Sequence, residues 1–301
     1  MGVAKPIISI VKAITGLFQV VELNETRTYP ATDIKQIKVR VNSPDVRIVP
    51  TEQEELSIKL KGRVSKRLKD QLFLDIKQTS ESLKIMIDHV HHFFFGINTK
   101  QLTLLIEVPR KTYESIIVAT SSGDIDAEGL SAGVVDLRAS SGDIEAKNIR
   151  ADEKIVIETS SGEIDAGDIQ GKAIDVQASS GDVSLKDVAG ALTKVKTSSG
   201  DVDIDHLIGD LSTRTSSGEI EIDSPEPTGH WKCRASSGDV SVRFRDIPSL
   251  AVDFSGGSGS GRIKHREMVY QQNREHRIAG VIGTGDHLLE VETNSGNFDL
   301  R

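Results

Sequence analysis

Alternation of apolar and polar residues runs through most of the chain and predicts strands. Ile37-Lys38-Val39-Arg40-Val41, Val46-Arg47-Ile48-Val49 and Leu56-Ser57-Ile58-Lys59-Leu60 open the series. Leu72-Phe73-Leu74-Asp75-Ile76, Leu83-Lys84-Ile85-Met86-Ile87 and Leu102-Thr103-Leu104-Leu105-Ile106-Glu107-Val108 continue it. A period of two puts every second side chain on one sheet face, so each run reads as a strand with one side buried. The first stretch departs from this pattern. Ile7, Ile10, Val11, Ile14, Leu17, Phe18 and Val21 recur at steps of three and four. That is the period of one helix face, so a short amphipathic helix is expected within residues 1–24.

From residue 119 onward the alternation is locked to a repeat. Ser-Ser-Gly followed by an acid occurs seven times, starting at Ser121, Ser140, Ser160, Ser179, Ser198, Ser216 and Ser236, at steps of 19, 20, 19, 19, 18 and 20 residues. A fixed period near 20 signals stacked coils. After each motif comes a strand with two inward ranks, beginning Ile125/Ala127, Ile144/Ala146 and Ile164/Ala166. A turn follows with Leu130, Ile149, Ile169, Val188 and Leu207 in one rank, then a second strand with Leu137, Ile157, Val176, Val195, Thr213 and Cys233 in another. Only Ala and Thr occupy the next inward rank, at 139, 159, 178, 197, 215 and 235. Each repeat is thus one coil of two strands and two bends, closed only by its neighbours. The expected fold is all-β, a parallel β-solenoid or β-helix with coils of about 19–20 residues. Right-handed winding is favoured, as in most parallel connections. The Gly of each motif is expected to take a backbone conformation that other residues resist.

The expected division is a helical cap over 1–24, an irregular β-strand region with a hairpin insertion over 25–118, and the regular solenoid over 119–301. Asn42-Ser43-Pro44-Asp45 reads as a worn first copy of the motif. Ser255 to Gly261 reads as the bend of a further coil, 265–277 as a polar loop, and Asn294-Ser295-Gly296-Asn297-Phe298 as a terminal coil.

Composition narrows the function. Aromatics are only 4% of 301 residues, which suits a narrow interior of Val, Ile, Leu and Ala. The net charge of -8 gives no general attraction for nucleic acid, and no nucleic-acid partner is expected. Cys233 is the single cysteine, so no disulfide forms within the chain. No apolar run approaches the length of a membrane span, and Lys12 interrupts the only candidate core of a secretory signal. These features point to the cytoplasm or the inner face of the membrane, with the cell surface still open.

The strongest chemical feature is a pair of acidic columns. Asp124, Asp143, Glu163, Asp182, Asp201, Glu219 and Asp239 form the first; Asp126, Glu145, Asp165, Asp203 and Glu221 form the second, broken by Ser184 and Ser241. Stacked coils set like charges about 4.8 Å apart, which is unfavourable unless something offsets it. The first column is a candidate cation ladder, but a solvated face whose acids satisfy turn N–H groups is the favoured account. Arg138, Lys196, Arg214 and Arg234 form a broken basic rank that could pair with these acids across the bend. Phe93, Phe94 and Phe95 at a predicted hairpin tip are candidates for membrane or partner contact, weighed against folding back over the sheet. The glycine-rich 255–261 stretch lacks a phosphate-loop ending, and no cofactor motif is visible. No catalytic residue stands out. Carboxylate pairs arise by chance in any acidic column, and the regular repeats carry only His206 as a possible base.

The recurring Ser-Ser-Gly-Asp-Ile/Val, the Asn-Ser opening at Asn42 and the Asn-Ser-Gly ending at Asn294 resemble a bacterial adhesin-like family of unknown function built from β-strand repeats. The resemblance covers roughly residues 34–301. It implies a β-helical fold, frequent links to cell-envelope stress systems and no established catalytic residues. The expected function is a non-enzymatic scaffold or interaction protein that presents its repetitive surface to a protein or envelope-polysaccharide partner. A membrane-peripheral envelope-stress factor and a carbohydrate-active enzyme are the alternatives.

Overall fold

The computed structural model describes residues 20–69, 72–89 and 101–301. The helical period expected over 1–19 and the Phe93–Phe95 tip lie outside the described residues. Residues 20–24, expected as the end of that helix, belong instead to strand Val20–Pro30, which pairs along its whole length with Glu55–Ser65.

Two parallel ladders run the length of the solenoid and enclose one hydrophobic core. The first stacks the strands that follow each Ser-Ser-Gly-acid motif: Asp45–Thr51, Ile125–Glu128, the starts of Ile144–Thr159, Ile164–Ala178, Val183–Lys196 and Val202–Thr215, then Ile220–Ser224 and Val240–Phe244. The second stacks the strands that lead into the motif: Gln36–Val41, Tyr113–Thr120, Ser131–Ala139, the ends of the same four long strands, then His230–Ala235. The predicted inward ranks are buried in both ladders, from Ile37 and Val46 to Leu289 and Phe298. One turn of helix, Lys66–Lys69, interrupts the strands.

The corner inside each coil is made by one residue with left-handed backbone. Gly129, Asn148, Asp168, Asp187 and His206 have φ of 65°, 59°, 54°, 52° and 63°. Asn, Asp and His tolerate this region better than other side-chain-bearing residues, which explains their rank just before the buried Leu130, Ile149, Ile169, Val188 and Leu207.

At the other bend the expected reason for glycine is corrected. None of the Ser-Ser-Gly glycines has positive φ. They are required by stacking. A Cβ on Gly142, Gly162, Gly181, Gly200, Gly218 or Gly238 would stand 1.7–2.0 Å from the carbonyl oxygen of the glycine one coil below. The buried threonines of the small rank fasten this bend. Thr159 Oγ1 accepts from Gly162 N at 3.2 Å and donates to Gly142 O at 3.0 Å; Thr197 and Thr215 repeat the arrangement.

The ends are not stacked in chain order. The Leu288–Leu300 coil, expected to be terminal, is wedged inside the stack. Leu288–Thr293 pairs with His230–Ala235 on one side and Leu250–Gly256 on the other. Phe298–Leu300 likewise lies between Val240–Phe244 and Gly261–Ile263. The first coil is held in the same way: Gln36–Val41 lies between Ser82–His89 and Tyr113–Thr120, and Asp45–Thr51 between Gln101–Pro109 and Ile125–Glu128. Antiparallel strands then cover the outer coils. Leu72–Gln78 and Glu55–Ser65 do so at one end, Arg277–Ile282 at the other. The stretch expected as a loop over 265–277 contains strand Val269–Arg274, which closes a hairpin on Arg277–Ile282. Such strands blunt the open edges that a solenoid would otherwise expose.

Candidate functional site

The candidate site is the polar outer surface, because the interior is filled by side chains. Its first feature is the acidic column beside the glycine stack. The acids are not simply exposed charges. Asp45 Oδ1 accepts the backbone N–H of Asp124 at 3.1 Å, Asp124 that of Asp143 at 2.9 Å, and Asp143 that of Glu163 at 2.8 Å. Asp182 accepts from Asp201, and Asp201 from Glu219, each at 2.8 Å. Asp239 accepts from Asn297 at 2.7 Å, and Asn297 from Ser260 at 3.1 Å. Each short carboxylate thus satisfies a bend N–H in the neighbouring coil, which offsets the repulsion along the column.

The ladder is broken where Glu replaces Asp. Neither Glu163 nor Glu219 bonds the next amide, because the extra methylene moves the carboxylate past it. Glu163→Asp is therefore expected to add one bond, to Asp182 N, and to stabilise the chain by less than about 1 kcal/mol, since the site is exposed. Slower hydrogen exchange at the Asp182 amide is the reading; an unchanged rate would mean that side-chain length does not set the ladder.

The second column lies on the outer face of the first ladder. Arg47 meets Asp126 at 3.2 Å, Lys147 pairs with Glu145, and Lys186 stands 3.8 Å from Asp205. Burial raises the carboxyl pKa of Asp126, only partly opposed by Arg47. Burial, then the charges of Glu221, Asp205 and Asp223, raises that of Asp203. Among the described residues no group of three or more His, Cys, Asp and Glu side chains is arranged to hold a metal ion. His206 Nδ1 lies 2.8 Å from Asp187 Oδ1, which ties neighbouring corners.

The sequence allowed the basic rank to pair with the acids across the bend; none of its ion pairs among the described residues does so. Two of its four members pair along their own ladder instead. Arg138 engages Asp136 and Glu158, and Arg234 Nε donates to Glu292 at 2.6 Å. For these two arginines an opposite charge stands in register one coil away on the same face, Glu158 beside Arg138 and Glu292 beside Arg234. The hydrogen bond from Arg234, and after it those with Glu290 and Lys232, draw the Glu292 carboxyl down from the ordinary 4.5 to about 2 against the effect of burial. A depressed carboxylate contributes stability that is present above pH 4.5 and lost as pH falls through its folded value. Glu292→Gln is therefore expected to lose less stability than the parent chain between those values. Parallel acid denaturation curves would contradict this.

Among the clefts of the surface, two are lined by described residues. One, of about 250 Å³, lies among Pro50, Val108, Lys111, Tyr113, Ile116 and Leu130. Its polar groups are committed to the fold: Lys111 Nζ donates to Ala31 O at 2.5 Å and sits 5.1 Å from the Tyr113 ring centre, and Tyr113 OH donates to Pro109 O at 3.2 Å. Burial lowers the Lys111 pKa and raises that of Tyr113. The second, of about 360 Å³, lies between Arg214, Arg234, Ser236 and Asn294. Cys233 is fully buried and burial pushes its thiol up to about 12, so it offers no nucleophile. Among the described residues no helix is long and apolar enough to cross a membrane.

Sequence reasoning missed two sets of surface-shaping residues. The left-handed corner column was visible as a rank of Gly, Asn, Asp, Asp and His. Lys77, Lys84 and Lys38, adjacent on three strands, had no signal, because their pairing is set by the hairpin and the interleaved first coil.

Comparison with known proteins agrees with this architecture. A solved candidate lipid-binding protein from Parabacteroides distasonis shares 15% identity, covering 92% of this chain and 96% of that one, with a TM-score of 0.54. Candidate adhesins from Bacteroides fragilis and Parabacteroides distasonis share 12% and 10% identity. Each match covers 93% of this chain and 97% of the other, with TM-scores of 0.47 and 0.46. No curated protein matches the sequence. The profile of the Toastrack DUF4097 family matches residues 34–301, nearly the whole repeat array with its irregular first coils, and the chain belongs to that family.

Proposed function

We propose that the chain is a non-enzymatic scaffold or adhesin-like interaction protein whose ligand is a protein or an envelope polysaccharide. The observation that carries this is the regular outer surface. Equivalent polar side chains recur one coil apart on both ladders, so an extended partner can meet the same chemistry several times. Avidity then accumulates from individually weak contacts. The buried thiol and the structural use of the Lys111 and Tyr113 groups support a binding role over catalysis. The names of the solved neighbours, adhesin and lipid-binding candidates, support it in the same direction. The reading holds for a protein in the cytoplasm, at the inner membrane face or at the cell surface. The test is co-sedimentation of the purified chain with envelope fractions and retention on a glycan panel, with ligand masses followed throughout. Retention without mass change is expected; turnover of any ligand would replace the reading with an enzymatic one.

A second reading, a membrane-peripheral factor, is favoured by one observation. Lys77, Lys84 and Lys38 stand in register on the outer face at one end of the rod, and among the described residues only Lys77 has a carboxylate partner, Asp75 at 3.2 Å. Such a cluster attracts anionic lipid headgroups, at roughly 1 kcal/mol per cation near the surface. Phe93–Phe95 follow the strand that carries Lys84 in sequence. Flotation with phosphatidylglycerol vesicles tests it, and a chain that stays at the bottom of the gradient dismisses it.

A further inference from the structure

The outer face of the second ladder carries a second file of cations. Lys196, Arg214 and Arg234 stand side by side on three consecutive coils. Lys194 and Lys232 lie two residues upstream of the first and third. Adjacent coils are about 4.8 Å apart, and like charges facing each other at that distance are unfavourable. In the coils just before this file the cations are neutralised, Arg138 by Asp136 and Glu158, and Lys154 by Asp175 at 3.5 Å. Here Arg234 and Lys232 turn to Glu292 and Glu290 of the next coil. Lys194, Lys196 and Arg214 are exposed and form no ion pair with any described residue. This local excess of positive charge exists in a chain whose net charge is -8. Beside it opens the 360 Å³ cleft, where Arg214 and Arg234 meet Ser236, Asn294 and Glu292; Arg234 is held by Glu292, which leaves Arg214 as the cation free for a ligand there.

We infer that this file is the contact surface for a carboxylated polysaccharide; the inference rests on the interaction reading above and names its partner chemistry. Lys196, Arg214 and Arg234 follow the stacking direction in one column, with Lys194 and Lys232 in the column beside it, so the complementary ligand is a linear, extended polyanion. A guanidinium such as that of Arg214 receives a carboxylate through two parallel N–H bonds. Two residues beyond each cation on the same face are the exposed Ser198, Ser216 and Ser236. Their hydroxyls can donate to and accept from sugar hydroxyls that flank the carboxylates. A flat anionic bilayer fits less well. Glu158 bounds the file on one side, past Gln177, and Glu290 and Glu292 bound it on the other, so a surface laid over the whole face would meet acids at both margins. Single-stranded nucleic acid would need aromatic platforms, and the aromatic residues of these coils, Trp231, Phe244 and Phe298, are buried.

The test uses the full chain and polygalacturonate oligomers in calorimetric titration at low ionic strength. Methyl-esterified oligomers, polyglutamate and phosphatidylglycerol vesicles serve as the neutral, peptide and bilayer comparisons. Polygalacturonate is expected to bind best and to weaken with salt. The double variant Lys196→Gln, Arg214→Gln is expected to lose about tenfold in affinity, which corresponds to 1.4 kcal/mol. Its melting point should equal or slightly exceed the parent's, because neither cation has an ion-pair partner among the described residues and their mutual repulsion is relieved. Arg138→Gln, a cation on the same face but outside the file, should leave affinity within about twofold. Equal binding of the methyl ester, an unchanged double variant, or preference for polyglutamate or vesicles overturns the inference. Retention of other glycans or envelope proteins without polygalacturonate binding would end this inference and leave the broader interaction reading standing.

Discussion

Replacing Gly181 by alanine is expected to cost the fold more than about 3 kcal/mol, whereas the same change at Gly167, in the coil before it, should be neutral or slightly stabilising. The added Cβ at position 181 would stand 1.7 Å from Gly162 O, 2.5 Å from its carbonyl carbon and 3.1 Å from Glu163 N. All three are backbone atoms, so no side chain can rotate away. Relief requires the two coils to separate, which breaks the hydrogen bonds of the bend, among them Ser180 N to Ser160 O. At Gly167 a Cβ meets nothing within 4 Å, and its φ is not positive. There alanine restricts the unfolded chain without straining the native one, a gain of about 0.4–1 kcal/mol. Urea denaturation of the two variants decides the matter. Equal midpoints would show that the glycine stack does not control coil spacing.

This contrast marks how far the sequence could be read. The period, the inward ranks and the Ser-Ser-Gly bend were legible because they repeat in phase, and repetition exposes any rule that holds once per coil. The reason for glycine was not legible. A rank of glycines looks the same whether it serves positive φ or close stacking, and only the distance from Gly181 to Gly162 separates the two. The acidic column behaves similarly. Its existence was plain, and its choice of Asp over Glu was present as a pattern, but the reach from Asp182 to the amide of Asp201 needed coordinates. The charged rows were misread for a different reason. Arg234 pairs with Glu292, 58 residues later, and that partner depends on which coil lies next to which. Local pattern cannot supply this, since the coil at 250–263 and the coil at 288–300 carry similar alternation and either could follow Val240–Phe244.

The interleaved end yields the second large effect. Removing residues 288–301 is expected to undo the fold of 250–282 as well, although those residues remain in the chain. The wedge buries Leu289, Val291, Phe298 and Leu300, all at most 1% exposed. At about 1.5–3 kcal/mol for each side chain, their loss exceeds about 5 kcal/mol, comparable with the net stability of many domains. The outer coil loses its parallel neighbour in both ladders at once. It cannot simply drop onto Val240–Phe244, because the connection through Asp246 to Ser249 is placed to pass a coil that is no longer there. Asp246 N and Arg245 N are fixed to Pro225 O, and Phe244 N to Arg301 O at 3.0 Å, so one anchor of that passage disappears with the wedge. Phe298→Ala tests the same point with a single side chain. Phe298 packs against Phe254 of the outer coil with ring centres 5.3 Å apart, and its truncation should cost about 3–5 kcal/mol. Trp231 is the only tryptophan and lies in register with Leu289, so its emission reports directly on the wedge. The truncated chain should show a red-shifted Trp231 and fast hydrogen exchange over 250–282, with 119–224 still protected. Protection of 250–282 in that chain would mean that the outer coil restacks without the wedge, and that the interleaving is a route of the chain rather than a support for it.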